Sequence, residues 1–435
     1  MAGLFFGSAF VGDAMTARPM AGNLLYAQSG GVTAVINASA AGVIAEARLQ
    51  PERIGRVFAA RNGILGVLRE TLTDTATLSD ADVGRLRTTP AGAFGSCRFD
   101  LDPVDTNPAQ YDRLFAVLAA HEIRFFLYNG GNGSMETCRQ IQTAADVRGY
   151  PLTVVGVPKT VDNDIVGTDC CPGFGSAAKY LATSICEVGL DLAAMTSGAG
   201  RAFVLEVMGR NAGWLAAACA LAAEDADRAP HLILLPEVGF DEAAFLARVK
   251  AVVERIGACA VVVAEGVRGP DGNILAMQDR NQKGYIQLGG AGEVVAERIH
   301  ASLGYKVHYA LADYLQRSAR HIASKTDTAQ AFAVGKAAVR RALAGQQGVV
   351  GIARISDAPY RWRTNLSPFE SVANLERSLP AEFIAADGFG VTEAFRRWCR
   401  PLISGEDWPP FRDGLPDYLH LRLPLLPARL PPYAA

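Results

Sequence analysis

Short apolar runs alternate with longer segments of helical period along most of the chain. The runs are rich in Val, Ile, Leu and Phe and lack polar alternation, which is typical of strands buried on both faces of a parallel sheet. The predicted strands are Leu24–Gln28, Arg56–Ala60, Arg124–Tyr128, Thr153–Val157, Ala202–Val207, His231–Leu235, Ala260–Ala264, Val307–Leu311 and Val349–Ile355. The predicted helices are Thr33–Arg48, Met135–Ala145, Ser176–Leu190, Ala212–Ala223, Glu242–Ile256, Gly292–Leu303 and Thr328–Ala344. This order of elements predicts a doubly wound α/β fold.

Punctuation by glycine and proline divides the predicted elements into two α/β halves with extensions at both ends. Ser197-Gly198-Ala199-Gly200 indicates a flexible link, so we predict one half at residues 23–190 and a second at 191–355. Residues 1–22 are predicted to be a flexible N-terminal extension. Eight of the 22 prolines lie from Pro401 onward, so residues 356–435 are predicted to be an extended segment that packs on the body.

Composition then limits the classes of partner. With 50% hydrophobic residues and a net charge of −2, the chain is expected to be globular, and it lacks the basic excess of a nucleic-acid-binding protein. No apolar run reaches the roughly 18 residues of a membrane span. The eight cysteines form no CxxC pair, which favours free thiols in a reducing compartment, and we predict a cytoplasmic protein.

Three glycine-rich loops each follow a predicted strand and precede a helix. Such loops can hold phosphate with backbone N–H groups, although glycine also serves tight turns. None has the GxxxxGK[ST] or GxGxxG spacing, which argues against a P-loop or an ordinary dinucleotide site. The loops are Gln28 to Thr33, Asn129 to Ser134 and Thr168 to Ser176.

The motif Lys159-Thr160-Val161-Asp162-Asn163-Asp164 directly follows a predicted strand. A carboxylate there could deprotonate an attacking alcohol while the ammonium neutralises a phosphoryl group in transfer. The pair Asp162 and Asp164 could also belong to a hard-cation site, and the motif alone could be an Asx turn with solvated carboxylates.

Taken together, the motifs resemble those of the phosphofructokinase family, most closely its bacterial pyrophosphate-dependent members. The resemblance runs from about Leu24 to Val349 and implies two Rossmann-like halves with the active site between them, the first binding the phosphoryl donor and the second the sugar phosphate. The motifs that carry it are Ala27 to Gly31, Gly95 to Arg98, Gly130 to Ser134, Pro158 to Asp164, Glu206 to Arg210 and Tyr314 to Arg317.

The resemblance implies phosphoryl transfer to the 1-hydroxyl of fructose 6-phosphate, with Asp162 as the base. Lys159, Thr160 and Asp164 are the other expected catalytic residues. The expected donor-binding residues are Gly31, Arg98, Gly131, Gly133 and Ser134. The expected substrate-binding residues are Thr160, Asp162, Arg201, Met208, Gly209, Arg210, Glu265, Tyr314 and Arg317.

Two further implications concern the metal and the assembly. Asn132 and Asp164 are the expected contacts of Mg²⁺, and Asn132 stands where many members of the family carry Asp. Arg201 matches an arginine that family members lend to an adjoining subunit, which implies a homodimer or larger homo-oligomer with shared active sites. Lys306 or His308 could supply another such cation.

Two positions bear on the identity of the phosphoryl donor, and they indicate different donors. In the family that the sequence resembles, bacterial ATP enzymes typically carry Gly at the position of Lys159, whereas Lys marks the pyrophosphate enzymes and some ATP-using relatives. Pyrophosphate enzymes commonly carry Asp where Gly133 stands. The wider match of Tyr26 to Asn37 and Ser318 to Asp327 to the pyrophosphate branch decides for pyrophosphate, with an ATP-dependent 6-phosphofructokinase as the alternative.

Two other classes fit less of the sequence. Lipid and NAD kinases share a GGDG-type loop but give no reason for the motif from Lys159 to Asp164. A catalytically silent sugar-phosphate sensor gives no reason to retain Asp162.

Overall fold

The computed structural model describes residues 21–196, 198, 200–280 and 286–433. Most of the predicted N-terminal extension, and Ser197 and Ala199 of the predicted link, lie outside the described residues.

The described strands, in chain order, are β1 Gly22–Gln28, β2 Ile54–Ala60, β3 Leu72–Asp74, β4 Ile123–Gly130, β5 Thr153–Pro158, β6 Arg201–Val207, β7 Leu232–Leu234, β8 Ala258–Ala264, β9 Met277–Arg280, β10 Ile286–Leu288, β11 Lys306–Leu311, β12 Gly348–Asp357, β13 Tyr360–Ser367, β14 Phe411–Arg412 and β15 Leu415–Pro416. The described α-helices are α1 Ile36–Arg48, α2 Gly63–Leu68, α3 Asp80–Arg87, α4 Pro108–Ala120, α5 Asn132–Arg148, α6 Phe174–Ala193, α7 Trp214–Ala218, α8 Glu242–Ile256, α9 Ala291–Leu303, α10 Asp313–Ser318, α11 Lys325–Leu343 and α12 Glu393–Cys399. Short 3₁₀ turns cover Thr75–Thr77, Cys219–Ala222, Arg320–Ile322, Phe369–Ser371, Ala381–Phe383 and Arg400–Ile403.

The larger sheet has seven strands in the order β13-β12-β5-β4-β1-β2-β3. Its five inner strands are parallel, and β3 and β13 pair antiparallel at the two edges. Successive side chains of β1 enter different cores: Leu24 and Tyr26 pack with α1, whereas Leu25 and Ala27 pack with α4 and α5. Because both faces of the sheet are covered, the central residues of its inner strands are mostly apolar and buried, and the predicted doubly wound α/β class is confirmed.

The smaller sheet has four parallel strands in the order β11-β6-β8-β7. Every residue of β8 is buried, as its apolar sequence Ala-Cys-Ala-Val-Val-Val-Ala requires. None of the helices in the described part of the chain combines the length and the hydrophobicity that a bilayer span requires.

After the second half, the chain returns to the first half. The strand β12 pairs in parallel with β5 of the larger sheet, and α11 packs on α1 of the same half. The two helices approach closely because both contribute a glycine: a Cβ at Gly42 would lie 2.2 Å from the carbonyl oxygen of Phe332, and one at Gly335 would lie 2.1 Å from that of Ser39. Residues 325–367 therefore pack with the first half. The sequence had predicted residues 325–355 to be part of the second half.

The described residues beyond β13 lie along both halves. Isolated bridges join Leu425 to Thr73, Glu376 to Ile165 and Glu406 to Ser324. The backbone N–H groups of Arg429 and Leu430 donate to the Glu70 carboxylate at 2.7 and 3.1 Å.

Candidate active site

The three neighbouring strands β1, β4 and β5 lead into residues 28–33, 129–134 and 159–164, here called the first, second and third site loops. Together these loops hold the predicted catalytic residues and the predicted donor-binding residues other than Arg98. The carboxyl ends of parallel strands meet at one edge of the sheet, so these loops touch. The Ser134 hydroxyl donates to the Ser29 hydroxyl at 3.0 Å, and the backbone N–H of Lys159 donates to the carbonyl of Gly130 at 3.0 Å.

Lys159 connects the third loop to the first. Its side chain is only 3% exposed, and its ammonium donates to the carbonyl of Gly31 at 2.5 Å. Burial lowers the pKa of Lys159 to about 8, while Asp162 and Asp164 oppose that shift and Arg317 and Arg98 add to it. The structure thus brings a lysine of unusually low pKa against the backbone of a glycine loop.

Asp162 and Asp164 flank this lysine. Burial, with the carboxylates of Asp164 and Glu265, raises the pKa of Asp162 to about 7, against the opposing charges of Lys159 and Arg210. Burial also raises the pKa of Asp164. The backbone N–H of Asp162 donates to the Thr160 hydroxyl at 3.1 Å, which fixes the turn between the lysine and the carboxylates.

Asn132 lies against Asp164 at the start of α5. Its amide donates to Asp164 Oδ2 at 3.0 Å. The other oxygens, Asn132 Oδ1 and Asp164 Oδ1, are buried and have no hydrogen-bond partner among the described residues. Two unsatisfied oxygens on a hydrogen-bonded pair of side chains are of the type that a hard cation prefers as ligands. Within the described ranges, however, no group of three or more His, Cys, Asp or Glu residues could hold a metal ion.

The space above the first two loops has positive charge on one side and negative charge on the other. A Cβ at Gly31 would lie 2.9 Å from Arg317 Nη1 and 3.8 Å from Arg98 Nη2. A Cβ at Gly133 would lie 3.5 Å from a carboxylate oxygen of Asp100. Gly131 precedes α5 and sits over the carbonyl of Lys159.

The second half contributes the loop after β6 and the end of β8. Gly209 has a φ of +144°, a conformation that side chains rarely adopt, and a Cβ there would lie 2.7 Å from the carbonyl of Ala212. The backbone N–H of Met208 donates to Gln316 at 3.2 Å. Burial raises the pKa of Glu265, and the N–H of Gly209 and the charge of Arg210 oppose this. Arg210 and Glu265 both act on the pKa of Asp162, so the two halves meet here.

Arg317 and Tyr314 lie on α10, next to this junction. The Arg317 guanidinium lies 3.8 Å from the ring centroid of Tyr314, which is 63% exposed. The same guanidinium contacts the Gly31 loop, so the residue expected to hold the sugar 6-phosphate also faces the expected donor loop.

Arg201 is the one predicted site residue that the structure places elsewhere. It begins β6, whereas Met208 follows the other end of that strand, about 20 Å away at 3.3 Å per residue. Its Nε is buried without a hydrogen-bond partner among the described residues.

The C-terminal segment supplies neighbours of the site that are not among the predicted site residues. Glu376 pairs with Ile165 and raises the pKa of Asp164, and Arg377 binds the backbone of the same loop. Since these residues lie more than 200 positions along the chain from that loop, no local pattern could have connected them.

The chain is similar to known proteins over most of its length. A protein of Xanthomonas campestris pv. campestris named pyrophosphate–fructose 6-phosphate 1-phosphotransferase is 54% identical over 414 residues, which cover 94% of this chain and 98% of that protein. One of the same name from Methylococcus capsulatus is 53% identical over 410 residues, 94% of this chain and 98% of that one. The crystal structure of a pyrophosphate-dependent phosphofructokinase from Nitrosospira multiformis has a TM-score of 0.88 and 50% identity, covering 95% of this chain and 100% of that one. The phosphofructokinase family model matches residues 23–342, and the chain belongs to that family.

Proposed function

We propose that this enzyme transfers a phosphoryl group reversibly from pyrophosphate to the 1-hydroxyl of fructose 6-phosphate, giving fructose 1,6-bisphosphate and phosphate. The observation that carries the proposal is the buried ammonium of Lys159 on the Gly31 carbonyl, beside the Asp162 carboxyl group. The names of the most similar relatives support the same reaction.

On the acceptor side, Asp162 takes the proton of the 1-hydroxyl as its oxygen attacks the donor phosphorus. A base works best when its pKa lies near the working pH, and burial brings the pKa of Asp162 to about 7. Arg210 and Glu265 lie on the sugar side of Asp162, where they suit a sugar phosphate and a sugar hydroxyl. Met208, Gly209 and Tyr314 complete that side.

On the donor side, the leaving group is phosphate, and its charge increases as the bond to the transferred group breaks. The Lys159 ammonium stabilises that charge from a position where water is excluded. Arg98 faces Gly31 and binds the non-bridging oxygens of the donor, while Gly131 and Ser134 contribute the N-terminus of α5. Arg317 also faces Gly31 and, with Tyr314, binds the phosphate of the sugar substrate.

We include Mg²⁺ as the metal of the reaction. Asn132 and Asp164 would hold it through the two oxygens that lack partners, and the donor phosphates would supply most other ligands. When bound, the ion neutralises phosphate charge. The protein orients this site through the Asn132 side-chain amide, whose Nδ2 donates to Asp164 Oδ2 at 3.0 Å.

Asp100 resolves the disagreement between Lys159 and Gly133 over the donor. Its carboxylate lies 3.5 Å from the position of a Cβ at residue 133, so negative charge faces this loop although glycine occupies it. The additional phosphate of ATP would meet that charge, and like charges brought together cost several kcal/mol. Pyrophosphate is shorter and avoids it.

A donor comparison tests the proposed function. Purified full-length protein is assayed with fructose 6-phosphate and Mg²⁺, giving pyrophosphate and ATP separately. We expect kcat/KM with pyrophosphate to exceed that with ATP by at least about tenfold, because ATP must approach Asp100. A preference for ATP, or no turnover with either donor, would contradict the proposal.

We also propose that the working enzyme is a cytoplasmic homo-oligomer in which Arg201 enters the active site of a neighbouring subunit. Its distance from Met208 prevents it from reaching the site of its own chain, and its Nε lacks a partner among the described residues. Lys306 pairs with Arg201 on the adjoining strand and adds positive charge to the same edge.

Arg201→Ala is expected to raise KM for fructose 6-phosphate about tenfold or more while changing KM for pyrophosphate less, because charged hydrogen bonds to phosphate are among the strongest. Steady-state kinetics and sedimentation under assay conditions measure both. Arg255→Ala is the control, since Arg255 is half exposed and pairs with Asp227 on the surface. A fully active monomer would rule the shared site out.

A further inference from the structure

Residues 376–379, here called the C-terminal strap, lie against residues 159–169, here called the catalytic loop. Glu376 forms an antiparallel bridge with Ile165, and the backbone N–H of Arg377 donates to the carbonyl of Asp164 at 2.8 Å. The strap thus pairs with the loop directly after the two catalytic carboxylates.

The Arg377 guanidinium binds three carbonyl groups of this loop. Its Nε and Nη2 donate to the carbonyl of Asn163 at 3.2 and 2.9 Å. Its Nη1 donates to the carbonyls of Thr168 and Asp169, each at 2.9 Å. Asn163 lies between Asp162 and Asp164 and has a φ of +56°, an uncommon conformation for a residue other than glycine. The rigid fork of one arginine therefore fixes both ends of a turn that would otherwise relax.

The strap also holds the second half. The Arg377 guanidinium lies 4.7 Å from the ring centroid of Trp214, and the Trp214 indole N–H donates back to the carbonyl of Arg377 at 3.1 Å. Trp214 is buried and begins α7, four residues after Arg210. The Glu237 carboxylate accepts from the N–H groups of Leu379 and Gly213, at 2.8 and 2.9 Å.

We infer that Arg377 is a positioning residue for phosphoryl transfer, which sets the catalytic loop of the first half against the sugar-phosphate loop of the second. The inference rests on the proposed function, because it assigns Asp162 and Arg210 to one reaction. The physical reason is that a displacement of about 1 Å between reacting groups can cost 10²-fold in rate. Among the described residues, the Arg377 guanidinium hydrogen-bonds to backbone carbonyls and stacks on Trp214, so its effect on the rate is indirect.

The test compares Arg377→Met with Arg396→Met. Arg396 is a matched control: it also belongs to the C-terminal segment, is half-buried, and donates to two carbonyls, those of Ala220 and Ala223. We expect Arg377→Met to lower kcat about 10- to 100-fold, with smaller changes in both KM values, and Arg396→Met to leave kcat within about twofold.

Losses of kcat that are equal in the two folded variants would overturn the inference, as would no loss in Arg377→Met. Should Arg377→Met fail to fold, Arg377→Lys keeps the stem and the charge but not the fork. It is expected to lower kcat at least about fivefold, and a value within twofold of the wild type would overturn the inference.

Hydrogen–deuterium exchange separates this inference from the proposed function, since it needs no turnover. The amides of residues 160–173 should exchange at least about tenfold faster in Arg377→Met than in the wild type or in Arg396→Met. Unchanged exchange of these amides would overturn the inference that Arg377 positions this loop. An inactive wild-type protein would overturn only the proposed function.

Discussion

Replacing Asp162 by Asn is expected to lower kcat with pyrophosphate and fructose 6-phosphate by at least about 10²-fold, since a positioned base typically contributes 10²–10⁴-fold. The amide keeps the shape of the side chain and leaves Thr160 in place, so KM for the sugar phosphate should stay within a few-fold. Steady-state kinetics with both substrates varied measures this. In the wild type, kcat/KM should rise with pH up to about 7 as Asp162 ionises, and Asp162→Asn should lack this rise. Near wild-type turnover would contradict the assignment.

The free energy of unfolding of Asp162→Asn provides a control for the loss of activity. The raised pKa of Asp162 determines whether the variant is more or less stable than the wild type. Between pH 4 and about 7 the folded protein keeps the Asp162 proton that the unfolded chain releases, so ionisation of Asp162 destabilises the fold progressively as pH rises through that window. Asn cannot ionise. Asp162→Asn should therefore be more stable than the wild type at pH 8, on the order of 1–3 kcal/mol, and equally stable near pH 4. Urea titrations at the two pH values distinguish the loss of a base from a loss of folding.

Replacing Lys159 by Met is expected to lower kcat with pyrophosphate by about 10²-fold, the usual loss when one electrostatic stabiliser of a developing charge is removed. The Met side chain fills much of the same buried space, so the loops should keep their positions. Because burial lowers the pKa of Lys159 to about 8, the wild type should lose activity above that pH as the ammonium deprotonates. Initial rates in both reaction directions, at pH 7 and pH 9, measure the effect.

The control for Lys159 is Lys179→Met on α6, where the ammonium pairs with Glu406 at 3.1 Å, in a salt bridge outside the three site loops. This variant should keep both kcat and the alkaline fall in rate. If Lys159→Met also keeps kcat within about threefold, the leaving phosphate does not depend on this ammonium.

The sequence predicted the first half of the site better than its surroundings. Apolar runs ending in glycine or in the Lys159 motif are local signals, and parallel pairing of β1, β4 and β5 brings them together without further information. The helix α4 is not among the predicted helices, although Asn107 caps it and Pro108 occupies its first turn, which are local start signals independent of the apolar period.

Other features depend on distant residues that no window along the chain contains. The contact of Arg317 with Gly31 joins residues 286 positions apart, and Arg377 meets Asn163 at a separation of 214. Contacts between residues so far apart in the sequence form only when whole helices and strands pack together. The strand β12 illustrates the same point: its apolar pattern predicted a strand, but only its pairing with β5 decides to which sheet it belongs.

That return of the chain to the first sheet has a consequence for biosynthesis. During translation, β5 emerges long before β12, and α1 long before α11, so the nascent first half has an unpaired strand edge and an uncovered helix until β12 has left the ribosome. Open edges of this kind attract other chains. The four-stranded sheet, by contrast, lies wholly between Arg201 and Leu311 and is complete before that edge is closed. The order of synthesis thus completes the smaller sheet first, and leaves the larger sheet as the part of the nascent enzyme most in need of a chaperone.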